Sequence, residues 1–251
     1  MLVMGILNVT PDSFADGGKH NDFESAVARG LEMIAEGVDI IDIGGESTRP
    51  GADRVSEEEE IARTIPVITE LAKHGVKISI DTMRASTAKA AIDAGASIIN
   101  DVSGGLADPL MLQTAAALKV PYIAMHWRGQ SKDMNSMAIY GDVVSDVISE
   151  LQERVDAALD AGITAENLII DPGLGFAKDA DHNWAIIDAI DQFVALGYPV
   201  LVGASRKRFL GGDTPDEREQ ATIDLTKRLA PTGVWAVRVH SVKPHKEVLA
   251  V

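Results

Sequence analysis

The chain has 251 residues, 46 % of them hydrophobic, no cysteine, and a formal net charge of −15 from 23 basic and 38 acidic side chains. The lack of cysteine excludes disulfides, thiolate nucleophiles and Cys-ligated zinc, and the acidic balance repels a polyanion such as DNA over most of the surface. The apolar content suits a sizeable core and argues against disorder, and any anionic ligand needs a local cluster of cations.

No apolar run reaches the ~18 residues of a membrane span. The opening MLVMGILN lacks a basic n-region and a small-residue cleavage site, so it reads as a strand and not as a signal peptide. Asn8-Val9-Thr10 matches a glycosylation sequon, but Pro11 follows it and nothing else suggests secretion. Apolar runs predict strands at residues 3–7, 38–43, 76–80, 97–100, 120–125, 167–170, 199–202 and 234–239. Amphipathic stretches lie between them. In 22–37, Phe23, Val27, Leu31 and Ile34 share one face at helical spacing. The stretch 56–75 opens with Ser56 and Glu59 at capping-box spacing, and Pro66 predicts a kink or a split. Helical patterns at 82–95, 107–119, 142–162, 179–197 and 215–230 complete seven crossovers. Gly37, Gly75, Gly95, Gly162 and Gly197 stand where glycine ends a helix. Only eleven residues follow His240, so the last helix must be short.

Strands alternating with helices predict right-handed βαβ units and a parallel sheet. Eight at regular spacing favour a closed (β/α)8 TIM barrel over an open doubly wound sheet, as one domain over residues 1–251 with its active site at the C-terminal strand ends. No linker or composition break divides it.

The strand ends carry polar side chains in nearly every case. They are Asn8, Asp42, Asp81, Asn100 with Asp101, His126, Asp171, then Ser205, Arg206 and Lys207, and finally Arg238 and His240. Asp42 is in phase with Ile40, and Asp81 follows Ser79 by two residues, which supports their placement on one side of the strands. A single strand-end aspartate is more often structural, bonding loop amides or capping a helix. A whole rim of such residues points to an active site.

Two chemical halves can be read. Asp81, Asp171, Asn100 and Lys207 suit a polar heterocycle whose edge presents N–H groups beside a carbonyl. Arg49, Arg206, Arg238 and His240, with Asn8 and glycine-loop amides, suit a phosphate-like anion, with Mg2+ as a candidate companion. His126 reads as a packed rim histidine, while His20, His74, His182 and His245 read as solvated. The run 205–208 would ordinarily be an exposed basic turn, but its place after a barrel strand predicts ligand contact. The residues alone leave open a divalent-metal enolising enzyme using Asp42, Asp81 and Asp171, and a Schiff-base aldolase using Lys207.

The stretches MGILNVTPDSFADGG, IDIGGESTRPGA, SIDT, INDVSGG, IDPGLGFAK, LVGASRKRFLG and RVH, in this order, resemble the dihydropteroate synthase family of folate biosynthesis. The similarity covers essentially the whole chain. Two departures are the start directly at the first strand and Trp127 where another apolar residue such as Met is expected. The resemblance implies condensation of 6-hydroxymethyl-7,8-dihydropterin pyrophosphate with p-aminobenzoate, through an SN1-like step that leaves a pterin cation. It implies Asp42, Asp81, Asn100, Asp171 and Lys207 at the pterin, and Asn8, Arg49, Arg238 and His240 at the pyrophosphate, with Asn8 also reaching Mg2+. Thr48, Pro50, Phe176 and Ser205 would border p-aminobenzoate. Asp81, Lys207, Arg49 and Asp16 would serve catalysis, Asp16 from a loop with Phe14 that closes over the site. A cytoplasmic homodimer open to sulfonamides is also implied. A pterin-binding barrel without synthase activity ranks second, because it needs neither Thr48-Arg49-Pro50 nor Ser205 nor Arg238-Val239-His240.

Overall fold

Short β-branched runs, each handed on to a helix, build a nearly closed barrel of eight parallel strands in this computed structural model, which describes residues 1–10, 19–46, 55–129 and 134–250. The strands are β1 (Leu2–Asn8), β2 (Ile40–Gly44), β3 (Lys77–Asp81), β4 (Ile98–Asp101), β5 (Tyr122–Met125), β6 (Leu168–Asp171), β7 (Leu201–Val202) and β8 (Ala236–Val239). The helices are α1 (Lys19–Ala35), α2 (Glu57–Ala72), α3 (Ala85–Asp93), α4 (Met111–Leu118), α5 (Val143–Asp160), α6 (Ala180–Asp188), α7 (Ile190–Val194), α8 (Glu219–Leu229) and α9 (Lys243–Leu249). Hydrogen-bonded neighbours run β6-β5-β4-β3-β2-β1-β8-β7. One parallel bridge, Ile170 to Val200, with Ile170 N–H donating to Pro199 O at 3.0 Å, brings β6 to β7.

Register explains how apolar strands end on acids. The pairings Met4 with Ile40, Ile6 with Asp42 and Asn8 with Gly44 continue as Asp42 with Ser79, Gly44 with Asp81 and Asp81 with Asn100. Inward positions repeat every second residue. Met4, Ile40, Ile98, Ile123, Ile169, Leu201 and Ala236 therefore form an apolar plug at one end of the barrel. Two residues further along, the same inward phase delivers Asp42, Asn100, Asp171 and Arg238. Outward residues such as Ile41, Ile43, Ile78, Ile80 and Ile99 pack beneath the helices.

The helices differ from the sequence reading in three places. On α1 the fully buried stripe is Ala26, Gly30 and Met33, while Leu31 is exposed and Phe23, Val27 and Ile34 flank the stripe. A Cβ on Gly30 would lie 2.5 Å from Leu71 Cδ1, so small residues let α1 approach α2, and their low hydrophobicity hides that face from a pattern search. α2 runs unbroken through Pro66, because Ala62, whose carbonyl loses its partner there, is exposed to water. The stretch 179–197 breaks at Ala189 into α6 and α7. Ser56 caps α2 by accepting from Glu59 N–H, but the Glu59 carboxylate turns to Arg63 and leaves the capping box half made. Gly37, Gly75, Gly95, Gly162 and Gly197 all have positive φ, as their C′ positions require.

Ile123 is fully buried in the apolar plug. Ile123→Ala should cost about 2–5 kcal/mol, read as a lower urea midpoint with an unchanged unfolding slope.

Candidate active site

The site is built around a buried arginine. From β8, Arg238 Nε donates to Asp42 Oδ2 and its Nη2 to Asp81 Oδ2, each at 2.6 Å. Asn100 Nδ2 donates to the same Asp42 oxygen at 3.1 Å. Four strands thus meet at three charges and an amide. Asp42 is fully buried, and its other oxygen, Oδ1, has no hydrogen-bond partner among the described residues. A buried unpaired acceptor costs about 1–3 kcal/mol, so Oδ1 is suited to an N–H or O–H donor brought by a ligand. Burial pushes the Asp81 carboxyl up to about 7, against the pull of Arg238 and with the push of Asp42. Burial also works against the Arg238 charge, yet Asp42 and Asp81 outweigh it and the guanidinium holds its proton more tightly than usual.

Asp171 and Lys207 stand across the β6–β7 seam. Asp171 Oδ1 accepts from Gly173 N–H at 2.7 Å, and burial raises its carboxyl while that amide opposes the rise. Lys207 Nζ donates to Leu174 O and lies 4.6 Å from the centre of the Phe176 ring. Burial pushes the Lys207 ammonium down to about 8, opposed by Asp171. Gly175 has φ +77, and a Cβ there would sit 2.8 Å from Lys207 Cδ, so only glycine lets the lysine lie against this turn.

Ser205 and His240, which the sequence reading places at different ligands, touch one another. Ser205 Oγ lies 2.9 Å from His240 Nδ1 and accepts from His240 N–H at 3.2 Å. Asn8 and Asp81 flank Gly44, where a Cβ would lie 3.8 Å from Asn8 Oδ1 and 3.7 Å from Asp81 Oδ2. Arg206 does not join the anion-binding set. It has φ +59, and its guanidinium is bound to Glu219 at 2.7 Å and Ser241 at 2.9 Å, behind the rim. Arg208 is exposed, so within 205–208 Ser205 and Lys207 alone are buried or half-buried members of the mouth. Asp101 faces outward and is saturated by Ser103, Gly105 and Tyr122. His245 is buried, not solvated, with Nδ1 2.8 Å from Thr226 Oγ1. Phe14, Asp16, Thr48, Arg49 and Pro50 lie outside the described residues.

Two supporting networks escaped the sequence reading. Arg84, before α3, donates to Glu46 at 2.7 Å, to Glu60, and to Val55 O at 2.6 Å. Glu46 and Val55 are the described residues on either side of 47–54, so one guanidinium holds both ends of that segment. On the other side, His126 Nε2 meets Glu150 at 2.9 Å and His126 Nδ1 meets Lys178 Nζ at 2.8 Å. Burial pushes Lys178 down to about 7 and His126 down to about 4. Each network joins residues far apart in sequence; Glu46, His126 and Lys178 lay in stretches already singled out for the site, but their partners Arg84, Glu60 and Glu150 did not.

Residues 4–240 match the family model of pterin-binding enzymes. A dihydropteroate synthase of Mycobacterium leprae is 49 % identical over 259 residues, covering 99 % of this chain and 91 % of that protein. The Xanthomonas albilineans dihydropteroate synthase solved with 4-aminobenzoic acid superposes with TM-score 0.93 and 43 % identity, over 99 % of this chain and 90 % of that one. The same organism's enzyme in complex with 7,8-dihydropteroate gives TM-score 0.90 and 40 % identity, over 99 % and 91 %.

Glu60 is 1 % exposed, so Arg84→Met would leave its carboxylate buried without its cation. The expected cost is about 3–5 kcal/mol, measured by urea denaturation. His126 titrates at about 4 in the folded chain against 6.5 unperturbed. The unfolded chain binds the proton more readily, so this contribution is complete above pH ~6.5 and is lost as pH falls towards 4, by on the order of 3 kcal/mol. The urea midpoint should fall over that window, and His126→Gln should flatten the fall.

Proposed function

The chain belongs to the pterin-binding enzyme family, and on that premise we propose that its barrel mouth is the active site of a dihydropteroate synthase. The reaction joins 6-hydroxymethyl-7,8-dihydropterin pyrophosphate to p-aminobenzoate and yields 7,8-dihydropteroate and pyrophosphate. The observation that carries this reading is the Asp42–Arg238–Asp81 cluster at the mouth, flanked by Asn100, Asp171 and Lys207. It offers carboxylates to an N–H-rich heterocycle and a guanidinium to an anion within one site.

In this reading Asp171 accepts from the ring N–H and exocyclic amine of the pterin as two parallel charge-assisted bonds. Asn100 and Lys207 meet its remaining edge, and Asp42 Oδ1 takes a donor from the ligand side. As the C–O bond to pyrophosphate breaks, negative charge grows on the departing oxygens and positive charge spreads over the pterin. Arg238 Nη1, which makes no bond to Asp42 or Asp81, faces the first, and the ring of carboxylates stabilises the second. The arylamine then forms the C–N bond and releases one proton. Phe176 borders its ring, and Ser205 binds its carboxylate beside His240. Arg49, Thr48, Pro50 and Asp16 complete the assignment from segments outside the described residues.

Asn8 is the residue to hold Mg2+. Its Oδ1 is a hard oxygen donor beside Gly44, and no group of three or more His, Cys, Asp or Glu among the described residues is arranged as a metal site. That arrangement fits an ion held by one protein oxygen and the substrate phosphates. When bound, the ion would neutralise charge on the leaving pyrophosphate. No helix among the described residues is long and apolar enough to cross a membrane. The same reading carries action in the cytoplasm, pairing of two copies, and one catalytic unit over residues 1–251.

Pyrophosphate release from the dihydropterin pyrophosphate, with Mg2+ and with or without p-aminobenzoate, tests the function. Release and dihydropteroate that both require p-aminobenzoate are expected, and pterin binding without product would overturn it. Arg238→Ala should weaken the pyrophosphate-bearing substrate about a hundredfold, measured by calorimetry. The corresponding pterin alcohol should weaken markedly less. Equal losses would show that Arg238 acts only through Asp42 and Asp81.

A further inference from the structure

The turn from β6 into α6, residues 172–178, has its carbonyls met by side chains from three other places and by its own lysine. Lys207 donates to Leu174 O, Tyr140 OH to Ala177 O at 2.9 Å, and Asn183 Nδ2 to Lys178 O at 3.4 Å. The carbonyls of Gly173 and Phe176 both accept from Lys178 Nζ, at 3.2 and 3.1 Å. The third contact of that ammonium is His126 Nδ1 at 2.8 Å.

An ammonium has three donors and no acceptor, so these contacts use all three. His126 Nδ1 must then present its lone pair, which puts the ring proton on Nε2, where it meets Glu150 Oε2 at 2.9 Å. Glu150 is held ionised at about 2 by hydrogen bonds from His126 and then Arg128. A neutral imidazole thus stands between a half-exposed carboxylate and a buried ammonium that no carboxylate among the described residues touches. Lys178 is 8 % exposed, and its ammonium is taken up by His126 and the turn's own carbonyls.

We propose that Lys178 is a positioning residue, whose ammonium fixes the 172–178 turn and with it the Phe176 ring, supported from behind by His126 and Glu150. The two carbonyls depend on it unequally. Gly173 O also accepts from Phe176 N–H at 3.1 Å, whereas Phe176 O has, among the described residues, only the lysine. Asp171 is further tied to Gly173 N–H, and a Cβ on Gly173 would lie 2.4 Å from His126 O, so that end of the turn is pinned by backbone. Loss of the ammonium therefore loosens the Phe176 end first. The strained φ of +48 at Ala177, next to the lysine, gives the turn a reason to relax once released.

The inference rests on the synthase reading, which places p-aminobenzoate beside Phe176. Two measurements keep it separate from that reading. In steady-state kinetics, Lys178→Met should raise KM for p-aminobenzoate about tenfold, with KM for the pterin pyrophosphate within about threefold. Lys178→Ala should recover with added n-propylamine and not with 1-propanol, because an ammonium and not mere volume is required. In ligand-free protein, amide hydrogen exchange at Gly175 and Phe176 should speed up in Lys178→Met while β2 and β3 keep wild-type protection. If Lys178→Met does not fold, Glu150→Gln, at a half-exposed site, should shift KM for p-aminobenzoate the same way by about threefold. Unchanged KM and exchange in these variants, equal loss for both substrates, or equal rescue by the alcohol would overturn the proposal. A wild-type chain that makes no dihydropteroate would sink the synthase reading instead, and the exchange comparison would still decide whether Lys178 holds the turn.

Discussion

Removing two carboxylates and a guanidinium from water is tolerable only if they answer one another. Asp42, Asp81 and Arg238 do so across three strands, at 2.6 Å on each side. The barrel must deliver β8 next to β1 and β2 next to β3 in fixed register before that bond set can close. Each partner left alone would be a buried charge, among the costliest defects a fold can carry. The cluster therefore fixes the register of the mouth as well as its chemistry. Its position directly above the apolar plug means that the change from oil-like to ionic interior takes place within one inward repeat of each strand.

Much of this was legible in the sequence because strands have a period of two. Ile40 and Asp42 share a phase, so a plug residue and a rim acid could be placed on one side of β2 before any contact was known. The glycine stop signals were equally readable, since φ > 0 is a local demand. What could not be read was choice of partner. Arg206, Lys207 and Arg208 are consecutive cations, yet one faces Glu219, one faces the mouth and one faces water. The left-handed backbone at Arg206 decides this, and no sequence pattern announces it. The face of α1 was misplaced for a related reason: helix contact there is made by alanine and glycine, which carry shape but little hydrophobicity.

The two halves inferred from residue chemistry also proved too tidy. Arg238 was grouped with anion binding and Asp81 with the heterocycle, but they form one ion pair. Ser205 and His240, assigned to different ligands, share a hydrogen bond. In the proposed reading, substrate groups that enter one half would be felt in the other through a single side chain. Coupling between the leaving group and the ring would then be built into the ground state of the protein, without any movement of the backbone.

Finally, the barrel closes thinly where β7, two residues long, meets β6 through the Ile170–Val200 bridge. Asp171 stands on one bank of that seam and Lys207 follows the other. A molecule that bonds to both would act as a rivet, replacing the ladder hydrogen bonds that so short a strand cannot supply. Occupancy of the mouth would then be a mechanical property of the whole ring: the empty barrel would breathe along one line, and the filled one would behave as a hoop.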